Sequence, residues 1–405
     1  MKSLTLIFSA FAMVFAMSGY TQFAEGADKK PVLMLHTCPL SGILGSVPDT
    51  GYGLTDAATY INETGGIGGR ELVGVVEDGR YDVPTTLGIF NRFAESEPKD
   101  EFLSYSQFCT PCLKALTEKV NEEEKIPVLA GSMSALIFND EEIKKTPYFF
   151  ATGPGYGEQW GMVLKYIKLN HKKSTPPRVA FHYFDNSTGR DPMGDLEMYA
   201  KKFGVEIVLM EPFSPTAQSF ATSFLKFRKE EIEYVLFWNW SLKIGVRYFK
   251  EAKKYLPKTP IFGVHWTAAN LYFNFVGKDY DNHFVVSGYP VETELDNKFV
   301  KIITDMAKKK DRKVMAWAFY MQSWVMAQLP AEAARQVLRE GKPLTRENLR
   351  YALENIDTDL LGMFGGEKLD YRTHKFSRAR VLRADWSKKT LVPMTEWVDI
   401  YDYLK

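Results

Sequence analysis

The strongest constraint on the fold is an alternation of short apolar runs with helix-length stretches, repeated in two series along the chain. The apolar runs lie at 32–36, 71–77, 102–105, 126–130 and 148–152 in the first series, and at 178–183, 205–210, 234–238, 261–264 and 284–287 in the second. Such runs are typical of buried parallel strands, and their alternation with helices indicates β-α-β units. The sequence therefore predicts an α/β protein of two doubly wound parallel-sheet lobes.

Three Gly/Pro-rich breaks mark places where the chain would cross between the lobes. They lie at Ala151–Gly155, Ser287–Pro290 and Leu361–Gly366. They assign residues 28–152 and 287–362 to an N-terminal lobe, and residues 153–286 and 363–405 to a C-terminal lobe. Helical stretches are predicted over 113–125, 190–204 and 314–340, among others, and the last forty residues read as short antiparallel strands.

The first 27 residues read as a secretory signal peptide. Lys2 precedes about a dozen apolar residues, and Ala16-Met17-Ser18 offers a small-residue cleavage site. A buried N-terminal helix is the alternative. The apolar run is short for a bilayer span, and no later stretch reaches 18 uninterrupted apolar residues. We therefore expect an exported, periplasmic protein without a membrane anchor.

Composition narrows the classes of function. Lys plus Arg number 51 and Asp plus Glu number 50, so the net charge of +1 does not favour nucleic acid as a partner. The chain contains no G-x-S-x-G, H-E-x-x-H or phosphate-binding loop motif. We therefore do not expect an enzyme, with a hydrolase of unrecognised type as the alternative.

A specific motif follows the first predicted strand. Pro39-Leu-Ser-Gly42 is followed by Gly53 and by a helix that ends in Asn62-Glu-Thr-Gly-Gly-Ile-Gly-Gly-Arg70. The glycines end a helix, whereas a dinucleotide-binding fingerprint begins one. This opening resembles the type I periplasmic binding proteins of the leucine/isoleucine/valine-binding kind, the solute-binding components of branched-chain-amino-acid-type ABC importers.

The resemblance covers nearly the whole mature chain and implies a mode of action. It implies two lobes joined by three hinge crossovers that close on a small-molecule ligand, and ABC permease subunits as partners. A receptor that reads the closed form is the alternative partner. We expect no cofactor, and we expect a monomer.

Ligands of open parallel sheets bind beyond the carboxyl ends of the strands. In the N-terminal lobe that rule selects the loops that contain Ser41, Thr110 and Ser132–Ser134. The resemblance implies that a hydroxyl and backbone amides from the last two loops hold a ligand carboxylate. The matching positions are Thr110, Ser132, Met133 (through its backbone) and Ser134. Simple helix capping is the alternative role for these residues.

In the C-terminal lobe the candidates are Tyr156, Phe184, Trp238, Trp240, His265 and Trp266. The resemblance implies an acidic residue for a ligand ammonium, but none stands beside His265 and Trp266, and Asp185 is the only nearby acid. Large aromatic faces bind flat or apolar groups, although at least one tryptophan is expected in the core. We therefore predict a ring-bearing or apolar carboxylate in preference to a standard amino acid.

Three cysteines leave one unpaired thiol whichever pair forms. Cys109–Cys112 and Cys38–Cys109 are both open as disulfides, and Cys109-Thr-Pro-Cys112 also matches a redox motif. His36, His182 and His265 fall near the carboxyl ends of predicted strands, facing the expected cleft, and a soft-metal site with the cysteines is the alternative role for them. Satisfied core histidines are more common, so we predict no metal.

Overall fold

The structure is a computed structural model that describes residues 29–41 and 48–405. The predicted signal peptide lies outside these residues. None of the helices in the described ranges combines the length and apolar character needed to span a bilayer.

The strands of the two sheets lie at or close to the apolar runs predicted from the sequence. They are β1 Val32–Cys38, β2 Leu72–Asp78, β3 Phe102–Gln107, β4 Val128–Ala130, β5 Phe149–Ala151, β6 Arg178–Phe184, β7 Glu206–Phe213, β8 Tyr234–Trp238, β9 Ile261–Gly263, β10 His283–Ser287, β11 Arg378–Asp385, β12 Thr390–Pro393 and β13 Val398–Asp399.

The α-helices fill the intervals between strands and the long return segment. They are α1 Asp49–Glu63, α2 Val83–Ser96, α3 Thr110–Ala115, α4 Ala135–Phe138, α5 Asp140–Lys145, α6 Tyr156–Asn170, α7 Ser187–Arg190, α8 Met193–Phe203, α9 Ala221–Lys229, α10 Leu242–Tyr255, α11 Leu271–Phe275, α12 Lys298–Lys309, α13 Trp317–Arg339, α14 Arg346–Glu354 and α15 Ile400–Leu404.

The N-terminal lobe is built on a five-stranded parallel sheet in the order β2-β1-β3-β4-β5. All seven residues of β1 are buried, as expected for a central strand covered by helices on both faces. Helix α13 returns from the second crossover to pack on α1. Because β1, β2 and β3 are parallel, their carboxyl ends share one edge of the sheet.

The C-terminal lobe is built on a mixed sheet in the order β12-β11-β10-β9-β8-β6-β7, with β13 paired to β11. Strands β6 to β10 are parallel, and the antiparallel β11 and β12 extend the sheet beyond β10. The predicted fold class, with two doubly wound lobes, is confirmed, and the C-terminal sheet is mixed because the chain's last segment returns to it.

Two helical predictions were wrong in detail, and prolines account for most of the difference. Helix α3 begins at Thr110 rather than 113, because Pro111 suits the first turn of a helix. A separate π-helical segment, Lys119–Glu124, follows it. The stretch 190–204 is divided by Pro192 into α7 and α8, since proline cannot donate a helical hydrogen bond.

The crossovers between the lobes lie side by side and are hydrogen bonded. The hydroxyl of Tyr371 donates to the carbonyl of Ala151 at 2.8 Å, and the N–H of Ala151 donates to the carbonyl of His374 at 2.8 Å. Tyr289, from the second crossover, donates to the carbonyl of Thr152. The three connections thus form one hinge region, and the boundaries assigned to the lobes stay predictions.

Candidate ligand-binding site

A cavity lies between the lobes, where the carboxyl ends of several strands meet. The lining residues come from both lobes: Pro39, Thr50, Tyr81, Phe108, Thr110 and Phe319 from the N-terminal lobe, and Tyr156, Thr188, Trp240 and Trp266 from the C-terminal lobe. Six aromatic rings and five hydroxyls therefore line the space between the lobes.

Thr110 reaches the cavity from the end of β3. Its hydroxyl lies 2.7 Å from the hydroxyl of Ser132, which follows β4. The Sγ of Cys109 accepts from the N–H of Cys112 at 3.3 Å, and the two cysteines form a disulfide across Thr110. The position of the Thr110 hydroxyl is therefore fixed by a covalent loop as well as by hydrogen bonding.

The position of the Phe108 ring, beside Thr110 at the cavity, requires a glycine at residue 131. A Cβ added at Gly131 would come within 2.4 Å of the Phe108 ring, so only glycine allows this ring to lie against the end of β4. Phe108 also makes an edge contact with Trp266 across the cleft, with ring centroids 6.1 Å apart. The two lobes thus meet ring to ring at the cavity.

Tyr81 was missed by the sequence analysis. It lies in the loop after β2, where both Arg80 and Tyr81 have left-handed backbones with φ of 54° and 56°. Burial raises the pKa of the Tyr81 hydroxyl, while hydrogen bonds with Thr110 and Thr188 act in the opposite direction. Because Thr188 belongs to the other lobe, Tyr81 connects the lobes at the cavity, and backbone strain of this kind is often found at functional sites.

Ser41 lies at the edge of the site, outside the cavity lining. Its hydroxyl donates to Asp78 at 2.5 Å, and Asp78 also accepts from the N–H groups of Leu40, Ser41 and Arg80. Although burial acts to raise the pKa of Asp78, these hydrogen bonds lower it overall. Asp78 thereby holds the loops after β1 and β2 together, and Ser41 has a structural contact there.

The three tryptophans of the C-terminal lobe have different environments. Trp238 is fully buried, and its Nε1 donates to the carbonyl of Thr188 at 3.0 Å. Trp240 and Trp266 line the cavity, and the Nε1 of Trp266 donates to the hydroxyl of Tyr156 at 2.9 Å. Trp238 therefore belongs to the core that packs beneath the cavity wall, while Trp240 and Trp266 form the surface of that wall.

Ser132, Met133 and Ser134 lie just behind the cavity lining. The carbonyl of Met133 accepts from the N–H of Tyr156 at 3.0 Å. Ser134 caps α4 by accepting from the N–H of Leu136 at 3.2 Å. The carboxylate of Asp191, from the C-terminal lobe, also contacts this turn. The N–H groups that could hold a ligand anion at the start of α4 therefore already donate to a carboxylate of the protein.

His265 and Phe184 support the C-terminal wall. Burial lowers the pKa of His265 to about 4, with a hydrogen bond to Gln322 as a smaller opposing influence, so the ring is neutral at pH 7. Its Nε2 lies 3.1 Å from the side-chain oxygen of Gln322. Phe184 packs against Trp240 with ring centroids 4.4 Å apart. Neither residue lines the cavity, but His265 packs against the lining residue Trp266, with ring centroids 5.2 Å apart, as Phe184 does against Trp240.

The cavity wall carries no formal charge among the residues that the structure describes. Its ten described lining residues are aromatic residues, threonines and one proline. Asp185, the nearest acid in the sequence analysis, forms an exposed ion pair with Arg190. A ligand ammonium in the cavity would therefore lack a partner carboxylate in the described wall, and a buried unpaired charge is costly.

The cysteines and histidines do not form a shared site. Cys38 is a free, buried thiol, and burial raises its pKa to about 12. His36 lies between the Ser106 hydroxyl and the Thr50 carbonyl, while His182 lies 3.0 Å from the Tyr248 hydroxyl. Within the described ranges, no group of three or more histidines, cysteines or acids is arranged to hold a metal ion.

Comparison with known proteins agrees with this architecture. Residues 36–388 match the sequence model of a family described as periplasmic binding protein. A comparison with curated proteins found no match.

Solved structures with the same fold include several solute-binding proteins. A branched-chain amino acid ABC transporter from Thermus thermophilus with bound valine has a TM-score of 0.81 and 19% identity, covering 93% of this chain and 98% of that one. A fatty acid ABC transporter substrate-binding protein from Thermomonospora curvata has a TM-score of 0.78 and 16% identity, covering 92% and 94%. A solute-binding protein from R. palustris in complex with benzoate has a TM-score of 0.73 and 14% identity, covering 91% and 97%.

Proposed function

Because the chain belongs to the periplasmic binding protein family, we propose that it captures a small ring-bearing or apolar organic solute between its lobes and delivers it to an ABC importer. One observation carries the proposal: both lobes contribute rings and hydroxyls to a single cavity whose described wall holds no charged side chain. A solute in that cavity contacts both lobes at once, so its binding favours the closed arrangement.

The proposed location and transport partner follow from membership of this family. Periplasmic binding proteins act outside the cytoplasm, and the apolar segment after Lys2 fits export as a signal peptide. We propose that the closed monomer docks on permease subunits, and that the solute is released unchanged rather than converted.

The wall favours rings and apolar groups over amino-acid zwitterions. Trp240, Trp266 and Phe319 offer large faces for stacking. The relatives named above bind valine, a fatty acid or benzoate, so the fold accepts several solute classes. For this chain, the missing carboxylate partner disfavours the ammonium of valine and leucine. A ring acid or apolar acid brings no ammonium, its carboxylate can accept from the hydroxyls of the wall, and its hydrophobic part gains buried area.

A thermal-shift panel of aromatic acids, fatty acids and amino acids tests the proposal, followed by small-angle scattering with the best solute. A solute at 100 times its dissociation constant stabilises the protein by about 2.7 kcal/mol, and closure should reduce the radius of gyration. A stabilising solute that is chemically converted, or one that leaves the radius of gyration unchanged, would count against capture by closure.

A further inference from the structure

Gln322 of α13 is hydrogen bonded to three separate segments of the protein. Its side chain is fully buried, and its Nε2 donates at 3.1 Å to the carbonyl of Gly131, directly after β4. The same Nε2 donates at 3.2 Å to the hydroxyl of Thr152, in the first crossover. Its Oε1 lies 3.1 Å from the Nε2 of His265, which follows β9 in the C-terminal lobe. One uncharged side chain therefore connects the N-terminal sheet, the hinge region and the C-terminal wall.

The direction of these hydrogen bonds is determined by the chemistry of the groups. A carbonyl can only accept, so the end of the Gln322 amide that faces Gly131 is the Nε2 donor, and Oε1 faces His265. The Nε2 of His265 must then carry a hydrogen and act as the donor. Burial keeps this ring neutral at pH 7, with its pKa lowered to about 4. The contact between the lobes is thus a neutral hydrogen bond with a defined direction.

A second buried glutamine holds His265 from its own lobe. The Oε1 of Gln159, in α6, accepts from the backbone N–H of His265 at 3.1 Å, and its Nε2 donates to the carbonyl of Pro154 at 2.7 Å. Pro154 belongs to the first crossover, as Thr152 does. His265 is therefore connected twice to this crossover, through Gln159 and through Gln322. Buried polar networks of this kind favour one arrangement of the surrounding core.

Both ends of the Gln322 amide lie next to residues that carry the cavity wall. At one end, His265 packs against Trp266 with ring centroids 5.2 Å apart. At the other end, Gly131 leaves just enough room for the Phe108 ring, which a Cβ there would approach to within 2.4 Å. Phe108 and Trp266 both line the cavity and meet across the cleft at 6.1 Å. The Gln322 amide therefore holds both halves of this ring contact at once.

We infer that Gln322 is a positioning residue for ligand binding, which sets the separation of the Phe108 and Trp266 rings and connects it to the hinge. The inference rests on the proposed function for the role of the cavity, and goes beyond it by naming the group that holds the two walls together. A ligand that contacts both rings meets walls already held at a fixed separation, which lowers the entropic cost of binding. Without the Gln322 amide, each ring stays in its own lobe but the separation is no longer fixed.

Gln322→Met tests this role, because methionine has a similar length but cannot donate a hydrogen bond and accepts only weakly. Gln328→Met is the matched control. Gln328 is also buried on α13 and donates to Glu332, but it lies outside the cavity lining. His265→Phe removes the same hydrogen bond from the other lobe while keeping a ring against Trp266, so it serves as the second variant if Gln322→Met fails to fold.

The first measurement needs no ligand. The indole N–H of Trp266 gives its own signal in a nitrogen–proton correlation NMR spectrum, assigned by its absence in Trp266→Phe. We expect the signal to move in Gln322→Met and to keep its wild-type position in Gln328→Met, because only the first variant releases the wall. An unchanged signal in Gln322→Met, or an equal change in Gln328→Met, would overturn the inference.

The second measurement is calorimetry with benzoate as the probe. Gln322→Met and His265→Phe should each weaken binding about tenfold, and Gln328→Met should bind as the wild type does. The double variant Gln322→Met/His265→Phe should bind no more weakly than Gln322→Met, since both changes remove one hydrogen bond. Unchanged affinity in Gln322→Met, or additive losses in the double variant, would also overturn the inference. A wild-type protein that binds no benzoate counts against the ring-acid proposal alone, and the ligand-free signal then decides the inference.

Discussion

The carboxylate of Asp191, in the C-terminal lobe, accepts a hydrogen bond of 3.2 Å from the backbone N–H of Ala135 in the N-terminal lobe. It also contacts the N–H of Leu136 at 3.3 Å and the side chain of Ser134. This contact crosses the cleft, so we expect it to break when the lobes open. We therefore expect closure to transfer Asp191 from water to a half-buried position.

This transfer makes closure sensitive to pH. Burial raises the pKa of Asp191 from 3.8 to about 6, with Asp195 adding to the increase and hydrogen bonds from Ser134, Leu136 and Ala135 opposing it. The closed form thus binds the proton more tightly than the open form, so its advantage is present in acid and is lost as the pH rises through about 6. We expect ligand affinity to increase roughly threefold to tenfold between pH 7.5 and pH 5, measured by calorimetry.

Asp191→Asn provides the control for that dependence. Asparagine keeps an oxygen that can accept from the Ala135 N–H but does not titrate. The pH dependence that arises from Asp191 should therefore be lost in this variant. An unchanged pH profile would show that Asp191 does not govern closure.

Thr110→Val tests whether the hydroxyl of Thr110, which lies in the loop closed by the Cys109–Cys112 disulfide, contributes to ligand binding. Valine has a similar shape but cannot hydrogen bond to Ser132, which lies 2.7 Å away, or to Tyr81. The Thr110 hydroxyl would also donate to a ligand carboxylate, and the loss of that hydrogen bond costs about 1 kcal/mol, so ligand affinity should decrease about fivefold by calorimetry. Thr117→Val, on a threonine outside the cavity, should leave affinity unchanged. Equal affinities for all three proteins would remove Thr110 from the site.

Tyr81→Phe separates the hydroxyl that connects the lobes from the ring that lines the cavity. The loss of the contact with Thr188, which lies in the other lobe, should weaken the closed form relative to the open form by about 1 kcal/mol. Scattering at fixed, subsaturating ligand should therefore show a smaller closed fraction. The matched variant Tyr351→Phe, on an exposed tyrosine of α14, should behave like the wild type. A fully closed Tyr81→Phe protein would contradict the bridging role.

Reduction of the Cys109–Cys112 disulfide should lower stability modestly. A bond that closes a four-residue loop restricts the unfolded chain by about 2 kcal/mol in the loop-entropy account. Denaturant unfolding with and without dithiothreitol measures this difference. A Cys109→Ser/Cys112→Ser variant should match the reduced protein and should not respond to dithiothreitol. A wild-type protein equally stable in both conditions would show that the bond adds nothing.

The architecture could be predicted because it depends on repeated local signals. Apolar runs such as Val32–His36 and glycine-rich breaks such as Leu361–Gly366 indicate strands and crossovers without knowledge of distant contacts. The rule that ligands bind beyond strand ends selected Thr110 and Trp240, and the structure places both in the cavity wall. Their contact with a ligand stays a prediction.

The rest of the site depends on contacts between segments far apart in sequence. Thr50 and Phe319 reach the cavity from helices α1 and α13, where no strand end marks them. Tyr81 follows β2, and the strand-end rule would have selected it had the loop after β2 been considered. Asp191 could not be found in this way, because its partner Ala135 belongs to the other lobe and is distant in the sequence.

The most direct test of the account is a calorimetric comparison of leucine with benzoate at neutral pH. The uncharged, aromatic wall formed by Trp240, Trp266 and Phe319 predicts measurable binding of the ring acid. It predicts little or no binding of leucine, since cation–π attraction of about 0.5–2 kcal/mol supplies less than a paired carboxylate would. Benzoate binding with no detectable heat from leucine is the expected result, and micromolar leucine binding without benzoate binding would contradict the account.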